Sequence, residues 1–350
     1  MASRLERLMG EHRGQDLFRL ERDTIGVAGP ALMNTLLAAR PAGPTERPTF
    51  KPIFGRSISK QESALGMRAL GQDVRSALAQ AQTRNAWTTD LSGRWPQVGH
   101  RYLRDLVFGQ DPYLLRMFAG RSLQLLPHMT WTSAATVVAA CPRRPLPGPF
   151  HRITGRSGPG DMSQLAAMST GKVTYRDRRH AMVLYRRLAA PICLLISTLV
   201  TSAMWMGAPF DDDTPDDYIL YEAMRLLPPS WNLLRFASPQ YPALDDRIHH
   251  DDDLLFLNLL SQRDPALWEE PDTFLPQRWK HLDPDNHPGY LPFGHVQERC
   301  WGRHMVMPLA ALLLGRLRDN GYTVDPDQTF ARVPLDGLLG LSHVTLVRRP

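Results

Sequence analysis

Cysteine is scarce in this chain, with only three residues among 350. Cys141, Cys193 and Cys300 are irregularly spaced, so they form neither a disulfide framework nor a zinc-ligand pattern. The first 22 residues are charged and lack the apolar core of a secretory signal. Together these absences predict a protein of a reducing compartment, the cytoplasm.

Long hydrophobic runs are equally rare. The longest, residues 188–210, is long enough for a transmembrane helix. However, it contains Pro191 and several hydroxyl side chains, and the sequence has no second run of this length. A central helix buried on all sides is the better interpretation, so no membrane association is predicted. The formal charge of +6 comes mostly from scattered arginine, without aromatic residues interleaved. This favours an acidic protein partner and excludes nucleic acid.

Hydrophobic periodicity predicts a mainly α-helical chain with a small β portion in its C-terminal half, and its length allows one large domain over residues 1–350. A charged amphipathic helix is predicted over residues 1–22. Further helices are predicted over residues 57–82, 123–140, 175–206, 217–227 and 305–317, and a helix pair broken at 109–112 is predicted over 95–118. Residues 24–40 are predicted to form a strand or turn followed by a short helix, and a short strand is predicted at 254–257.

One cysteine lies in a loop suited to metal ligation. Cys300 directly precedes an apolar helical run, with Phe293 seven residues before it and Gly302 two after. Positive charge and helix N–H groups favour a thiolate, and Gly302 lets the backbone approach a flat ligand. Phe293 can shield the sulfur, as an axial thiolate on a heme iron requires. The alternative is an ordinary buried cysteine in front of a helix.

A second motif combines one carboxylate with two arginines. Glu222 and Arg225 are one helical turn apart among apolar residues, which favours a buried ion pair. A buried pair needs further donors to offset its desolvation, and Arg278 can supply them. The alternative is an exposed pair of little energetic weight.

These motifs, in this order, resemble the cytochrome P450 family. Its cysteine loop reads Phe-x-x-Gly-x-Arg-x-Cys-x-Gly, and its Glu-x-x-Arg motif is followed by a Pro-Glu-Arg-Phe-like segment. The matching residues are Phe293, Cys300 and Gly302 in the loop, and Glu222, Arg225 and Arg278 in the structural triad. The detailed resemblance covers about residues 185–320. It implies a cytochrome P450-like fold, somewhat shortened, and heme b (iron protoporphyrin IX) with Cys300 as axial ligand of the iron.

The resemblance also points to contacts with the heme propionates. Arg235 and Arg68 stand where the family has propionate-binding arginines, although both could be surface charges. Gln277 and Trp279 are mild departures in the Pro-Glu-Arg-Phe-like segment, and three further positions depart from the pattern. Val296 replaces a glycine and Glu298 an arginine of the cysteine loop, and Ala64 replaces a histidine four residues before Arg68.

The oxygen-activating segment of the family, Ala-Gly-x-Asp/Glu-Thr, falls on residues 189–193 and is degenerate. It contains Ala190, Ile192 and Cys193, so isoleucine replaces the acid and a thiol replaces the alcohol. Neither side chain delivers protons well, and Pro191 is expected to kink the helix. The hydroxyls of residues 197, 198 and 201 could replace the alcohol, or could simply bond to helix carbonyls.

The resemblance implies a heme-thiolate oxidoreductase that monooxygenates a small, largely apolar molecule in bacterial specialised metabolism. Electrons would come from a ferredoxin and its reductase. Because the acid–alcohol pair is missing, a second hypothesis is peroxide-driven or redox-neutral chemistry, such as isomerisation or dehydration. The Ala-Pro pair is faintly similar to heme-thiolate peroxygenases, although Ala190 stands where they have an arginine. A third hypothesis is a non-catalytic binding module of the same fold.

Overall fold

The computed structural model describes residues 3–39, 53, 55–83, 89–119, 162–172, 174–211, 213–294, 299–333 and 339–349. The described α-helices are α1 Ser3–His12, α2 Pro30–Ala38, α3 Lys60–Thr83, α4 Gln97–Phe108, α5 Tyr113–Ala119, α6 Gln164–Thr170, α7 Tyr175–Gly207, α8 Asp216–Leu226, α9 Asn258–Ser261 and α10 Arg303–Asp319. The strands are β1 Leu17–Glu21, β2 Thr24–Val27, β3 Gly93–Trp95, β4 Leu233–Arg235, β5 Asp253–Phe256, β6 Tyr322–Val324 and β7 Val344–Arg348. The predicted fold class, mainly α with a small β portion, is confirmed.

The prediction of one helix over residues 1–22 is wrong. Helix α1 ends at His12, and Gly14 follows with a φ of 76°, a conformation that glycine adopts without strain. Strand β1 then pairs antiparallel with β2. Residues that look amphipathic along the sequence therefore take their conformation from a neighbouring strand.

The chain divides into two compact units. The first comprises Met1–Glu46, Thr198–Arg303 and Leu313–Pro350, and the second comprises Arg47–Ser197 and His304–Leu312. That residues 1–350 form a single domain stays a prediction. The helix predicted at 123–140 lies outside the described residues.

A mixed sheet organises the first unit. Its strand order is β1-β2-β5-β4, with β2 and β5 parallel and the outer pairs antiparallel. Helix α2 packs Met33 and Leu36 against Ile25, Leu254 and Phe256 of the sheet, all nearly inaccessible to solvent. This core supports strand β4 and the connection that leads to it from α8. Arg235 is the last residue of β4. In the same unit, β6 and β7 form an antiparallel pair.

Helices dominate the second unit. Helix α3 packs against α4 and α6, and Gly66 allows α3 to approach α7 so closely that an added methyl group would meet Leu188 at 2.5 Å. Helix α7 is continuous through Pro191. That Pro191 kinks the helix stays a prediction. Helix α7 is the one described helix long and apolar enough to cross a membrane, but 78% of its apolar window is buried, as predicted for a core helix.

Candidate functional site

Glu222 and Arg225 lie on one face of α8 and are fully buried, so the alternative of an exposed pair is wrong. Arg225 donates to both carboxylate oxygens, Nη2 to Oε1 at 2.7 Å and Nε to Oε2 at 3.1 Å. Its remaining N–H groups reach main-chain carbonyls of Gln262, Pro271 and Thr273 at 2.9, 2.7 and 3.1 Å. The guanidinium thereby ties the helix to two loops.

Arg278 completes this buried cluster, as the sequence predicts. Its Nε donates to Glu222 Oε1 at 3.1 Å, and its terminal nitrogens bond to the carbonyls of Glu269 and Glu270 at 2.7 and 3.2 Å. The Leu275 N–H also donates to Glu222 Oε1, at 3.0 Å. A buried carboxylate with this many donors is well compensated for its desolvation.

Trp279 is a member of the cluster that sequence reasoning missed. Its indole Nε1 donates to Glu222 Oε2 at 2.9 Å. In the sequence this residue is only a mild departure from the family's phenylalanine. The one available signal was that a buried tryptophan needs a partner for its N–H, and Glu222 is that partner.

The main chain around Cys300 is held in a defined turn. The Cys300 N–H donates to the Phe293 carbonyl at 2.7 Å, and Gly294 takes a φ of 82°. The Arg303 N–H bonds to the Cys300 carbonyl at 3.2 Å, and α10 begins at Arg303 with Gly302 as its N-cap. Cys300 is exposed, which argues against the alternative of a buried structural cysteine. Its sulfur is open to a ligand at the positive end of a helix.

Two arginines flank Cys300, and both point to one carboxylate. Arg303 forms an ion pair with Asp285, and Arg299 Nη1 lies 3.9 Å from the same oxygen. The Arg303 guanidinium also stands 6.0 Å from the centre of the Phe293 ring. Val296 and Glu298, the two departures in this loop, lie outside the described residues.

The predicted propionate ligands occur in different units. Arg235 is half-buried in β4, an outer strand of the mixed sheet in the first unit. Arg68 is exposed on α3 in the second unit, and so is Ala64. Their role in holding a propionate stays a prediction.

The degenerate segment lies in the middle of α7, in the second unit. Ala190, Ile192 and Cys193 are all buried. Burial raises the pKa of the Cys193 thiol well above its ordinary value, so this side chain is a neutral thiol. Among the hydroxyls that could replace the alcohol, that of Ser197 donates to the Leu194 carbonyl at 3.0 Å. Ser197 therefore bonds to a carbonyl of its own helix, which was the alternative role predicted for it.

Comparison with known proteins shows what this arrangement resembles. Residues 217–327 match the family model described as cytochrome P450. They include the Glu222 cluster, the Cys300 loop and helix α10.

Curated relatives agree over a similar length. Cyclooctatin synthase of Streptomyces melanosporofaciens is 33% identical over 101 residues, which are 28% of this chain and 22% of the relative. Trans-cinnamate 4-monooxygenase of Petunia hybrida is 32% identical over 96 residues, which are 25% and 19% of the two chains. The matches thus span only about a fifth of the relatives' length.

Solved structures extend the likeness to the whole chain. A post-tailoring hydroxylase involved in himastatin biosynthesis matches with a TM-score of 0.61 at 15% identity, over 100% of this chain and 98% of the other. A substrate-free cytochrome P450 of Mycobacterium marinum matches with a TM-score of 0.58 at 13% identity, over 99% and 95%. The fold is therefore that of the cytochromes P450. The resemblance to the cytochrome P450 family is confirmed, by sequence over residues 217–327 and by fold over the whole chain.

Proposed function

We propose that this protein is a heme-thiolate oxidoreductase in which Cys300 is the axial ligand of the heme iron. The observation that carries the proposal is the exposed Cys300 thiol at the start of α10, with its backbone bonded to Phe293. The donor chemistry fits a heme, since one thiolate suffices as its protein ligand. Among the described residues, no group of three or more His, Cys, Asp or Glu could hold a metal ion by itself.

Each part of the chain has a defined task in this proposal. Cys300 holds the iron, and Arg235 and Arg68 are the proposed partners of the propionates. When bound, the heme would supply oxygen or peroxide activation, with the Cys300 thiolate as electron donor to the iron. The Glu222 cluster has a structural task, because it fixes the segment that leads to the cysteine loop.

We propose monooxygenation of a small, largely apolar molecule as the reaction, in bacterial specialised metabolism, with a ferredoxin and its reductase as electron source. The himastatin-pathway hydroxylase of the same fold supports this choice. We also propose a cytoplasmic location, because α7 is mostly buried within the protein.

One observation favours a second candidate reaction. Ile192 cannot donate a proton, and the raised pKa of buried Cys193 keeps its proton in place. Poor proton donation at these two aligned positions suits peroxide as oxidant, or redox-neutral chemistry. Product formation with peroxide alone, in the absence of reductant, would support this candidate. Strict dependence on a reductase and dioxygen would exclude it.

The test of the proposal is the visible spectrum of reduced, carbon-monoxide-bound protein. We expect the Soret band characteristic of thiolate ligation in the wild type and its complete loss in Cys300→Ser. Cys193→Ser is the matched control, because this second described thiol is buried in α7, and it should keep the band. An unchanged spectrum and unchanged heme content in Cys300→Ser would refute the proposal. Wild-type protein that binds no heme would instead support the non-catalytic module.

A further inference from the structure

Asp285 links the residues on both sides of Cys300. Its carboxylate pairs with Arg303, which begins helix α10, and lies 3.9 Å from Arg299 Nη1. Arg299 Nη2 donates in addition to the Asp285 main-chain carbonyl at 3.2 Å. Two guanidinium groups therefore converge on one acidic residue, and the cysteine lies between them in sequence. Asp285 also partly compensates the positive charge of the two guanidinium groups.

The turn that carries Asp285 is itself well ordered by short-range bonds. The Asp283 carboxylate accepts the Asp285 N–H at 2.8 Å and the Asn286 side-chain amide at 2.5 Å. The His287 N–H bonds to the Asp283 carbonyl at 3.0 Å. These bonds define an Asx-type turn, so the Asp285 side chain projects from a restrained backbone.

This turn is anchored to the buried Glu222 cluster. The His287 ring stacks on Trp268 with centroids 4.0 Å apart, and the Arg225 guanidinium lies 5.0 Å from that tryptophan ring. Tyr290 packs on Trp279 at 4.6 Å and donates from its hydroxyl to the Tyr221 carbonyl at 3.1 Å. The buried cluster and the cysteine loop are thus joined through the residues around Asp285.

We propose that Asp285 is a positioning residue that sets the pose of Cys300 toward the heme iron. This inference rests on the proposed function of Cys300. The ion pairs are about half exposed, with 50% of the Asp285 side chain accessible, so they contribute little to global stability. Their effect is local: they restrain the backbone immediately before and after the ligand, and ligand orientation at a metal depends on such outer contacts.

The test uses the isosteric substitution Asp285→Asn in heme-loaded protein. We expect part of the thiolate-type carbon-monoxide band to convert to the blue-shifted band of protein without thiolate ligation. We expect heme transfer to excess apomyoglobin to become about fivefold faster, the scale set by a half-exposed ion pair. Asp285→Glu keeps the charge and should restore most of both signals.

Asp16→Asn is the matched control. Asp16 is similarly exposed, at 53%, and pairs with Arg247 through both carboxylate oxygens at 3.0 and 2.8 Å, beside strand β1. Its substitution should change neither the band nor the rate of heme transfer. Equal behaviour of Asp285→Asn and wild type in both measurements would overturn the inference while the proposed function stands.

A second measurement separates this inference from the proposed function. In heme-free protein, the rate of Cys300 alkylation by iodoacetamide is followed by mass spectrometry of its peptide. Asp285→Asn should react several-fold faster than wild type, because the loop on both sides of Cys300 is less restrained. If wild-type protein binds no heme, the proposed function fails. The alkylation rate alone then decides whether Asp285 holds the cysteine loop. Equal rates would then refute a role for Asp285 in holding the loop.

Discussion

At the scale of single residues, Glu222 shows how a charge is kept inside the protein. Its two oxygens receive hydrogen bonds from Arg225, Arg278, Trp279 and the Leu275 main chain. Three of these donors come from a segment more than fifty residues later in the chain. The pair is therefore stable only when the two segments are assembled, because an uncompensated buried charge is strongly unfavourable.

Trp279→Phe tests the donor that the sequence pattern missed. Phenylalanine retains most of the ring but removes the N–H that reaches Glu222. Hydrogen bonds to charged groups are worth about 1.5–3 kcal/mol, so we expect the free energy of unfolding to fall by about that amount. Urea denaturation followed by circular dichroism measures the loss.

Trp268→Phe is the control for the reduced ring size. Trp268 is equally buried, but its Nε1 donates to a neutral acceptor, the Ser261 carbonyl, at 3.0 Å. We expect Trp268→Phe to lower the free energy of unfolding by less than Trp279→Phe does, by about 1 kcal/mol for the lost hydrogen bond. Equal losses in the two variants would show that the charge of Glu222 does not strengthen the Trp279 bond.

At the scale of elements, helix α6 is held at its start by two acidic residues. The Asp73 carboxylate accepts the N–H groups of Gln164 and Leu165 at 2.6 and 3.0 Å. Asp111 accepts the N–H and hydroxyl of Ser163 at 2.8 Å each, and the Tyr185 hydroxyl at 2.8 Å. These contacts join α3, the turn after α4 and α7 to the first turn of α6.

The stability of this arrangement depends on pH through Asp73. Burial raises the pKa of Asp73 from 3.8 to about 6. The folded state therefore binds more protons than the unfolded state between about pH 4 and pH 6, so the free energy of unfolding falls as pH rises through this range. The change is at most about 3 kcal/mol, from about 1.4 kcal/mol for each pKa unit.

Asp73→Asn should flatten that pH dependence, measured by urea denaturation at a series of pH values. Asp111, whose pKa is also raised by burial, remains and gives a residual slope. Asp16→Asn is a control, because Arg247 lowers the pKa of Asp16 and confines its effect to more acidic pH. Parallel curves for Asp73→Asn and wild type would contradict the assignment.

At the scale of the whole molecule, positive charge is in excess. The chain has 41 Lys and Arg against 35 Asp and Glu. Such a balance raises the rate of encounter with an acidic partner, and salt screens that attraction. An acidic ferredoxin, the partner proposed above, fits this charge.

Reductase-supported turnover should therefore be sensitive to salt. We expect kcat/KM for ferredoxin to fall about tenfold when NaCl is raised from about 0.05 to about 0.5 M, because electrostatic steering is lost. Turnover driven by peroxide in the same preparation is the control and should change little. Equal salt dependence of the two reactions would exclude electrostatic docking of the electron donor.

The helices with long and regular apolar patterns were predictable. Helices α3, α7 and α10 occur where the periodicity places them, because burial of an apolar face follows from local sequence. Strand β1 was missed because its conformation comes from pairing with β2. At the site, Cys300 and the Glu222 triad were predicted, whereas the contacts of Trp279 and Asp285 were not. The hydrogen-bond or ion-pair partner of a tryptophan or an aspartate cannot be identified from its residue type alone.

The sequence by itself determined the residue types of the candidate site: one cysteine before a helix, and a carboxylate followed by two arginines in a set order. Covalent order and local helix propensity are sufficient for that. Only the tertiary structure decided that Glu222 is buried with several donors, that Cys300 is exposed, and that Asp285 reaches Arg303. Burial and ion pairing depend on which distant segments pack together, and the chain establishes this only when it folds.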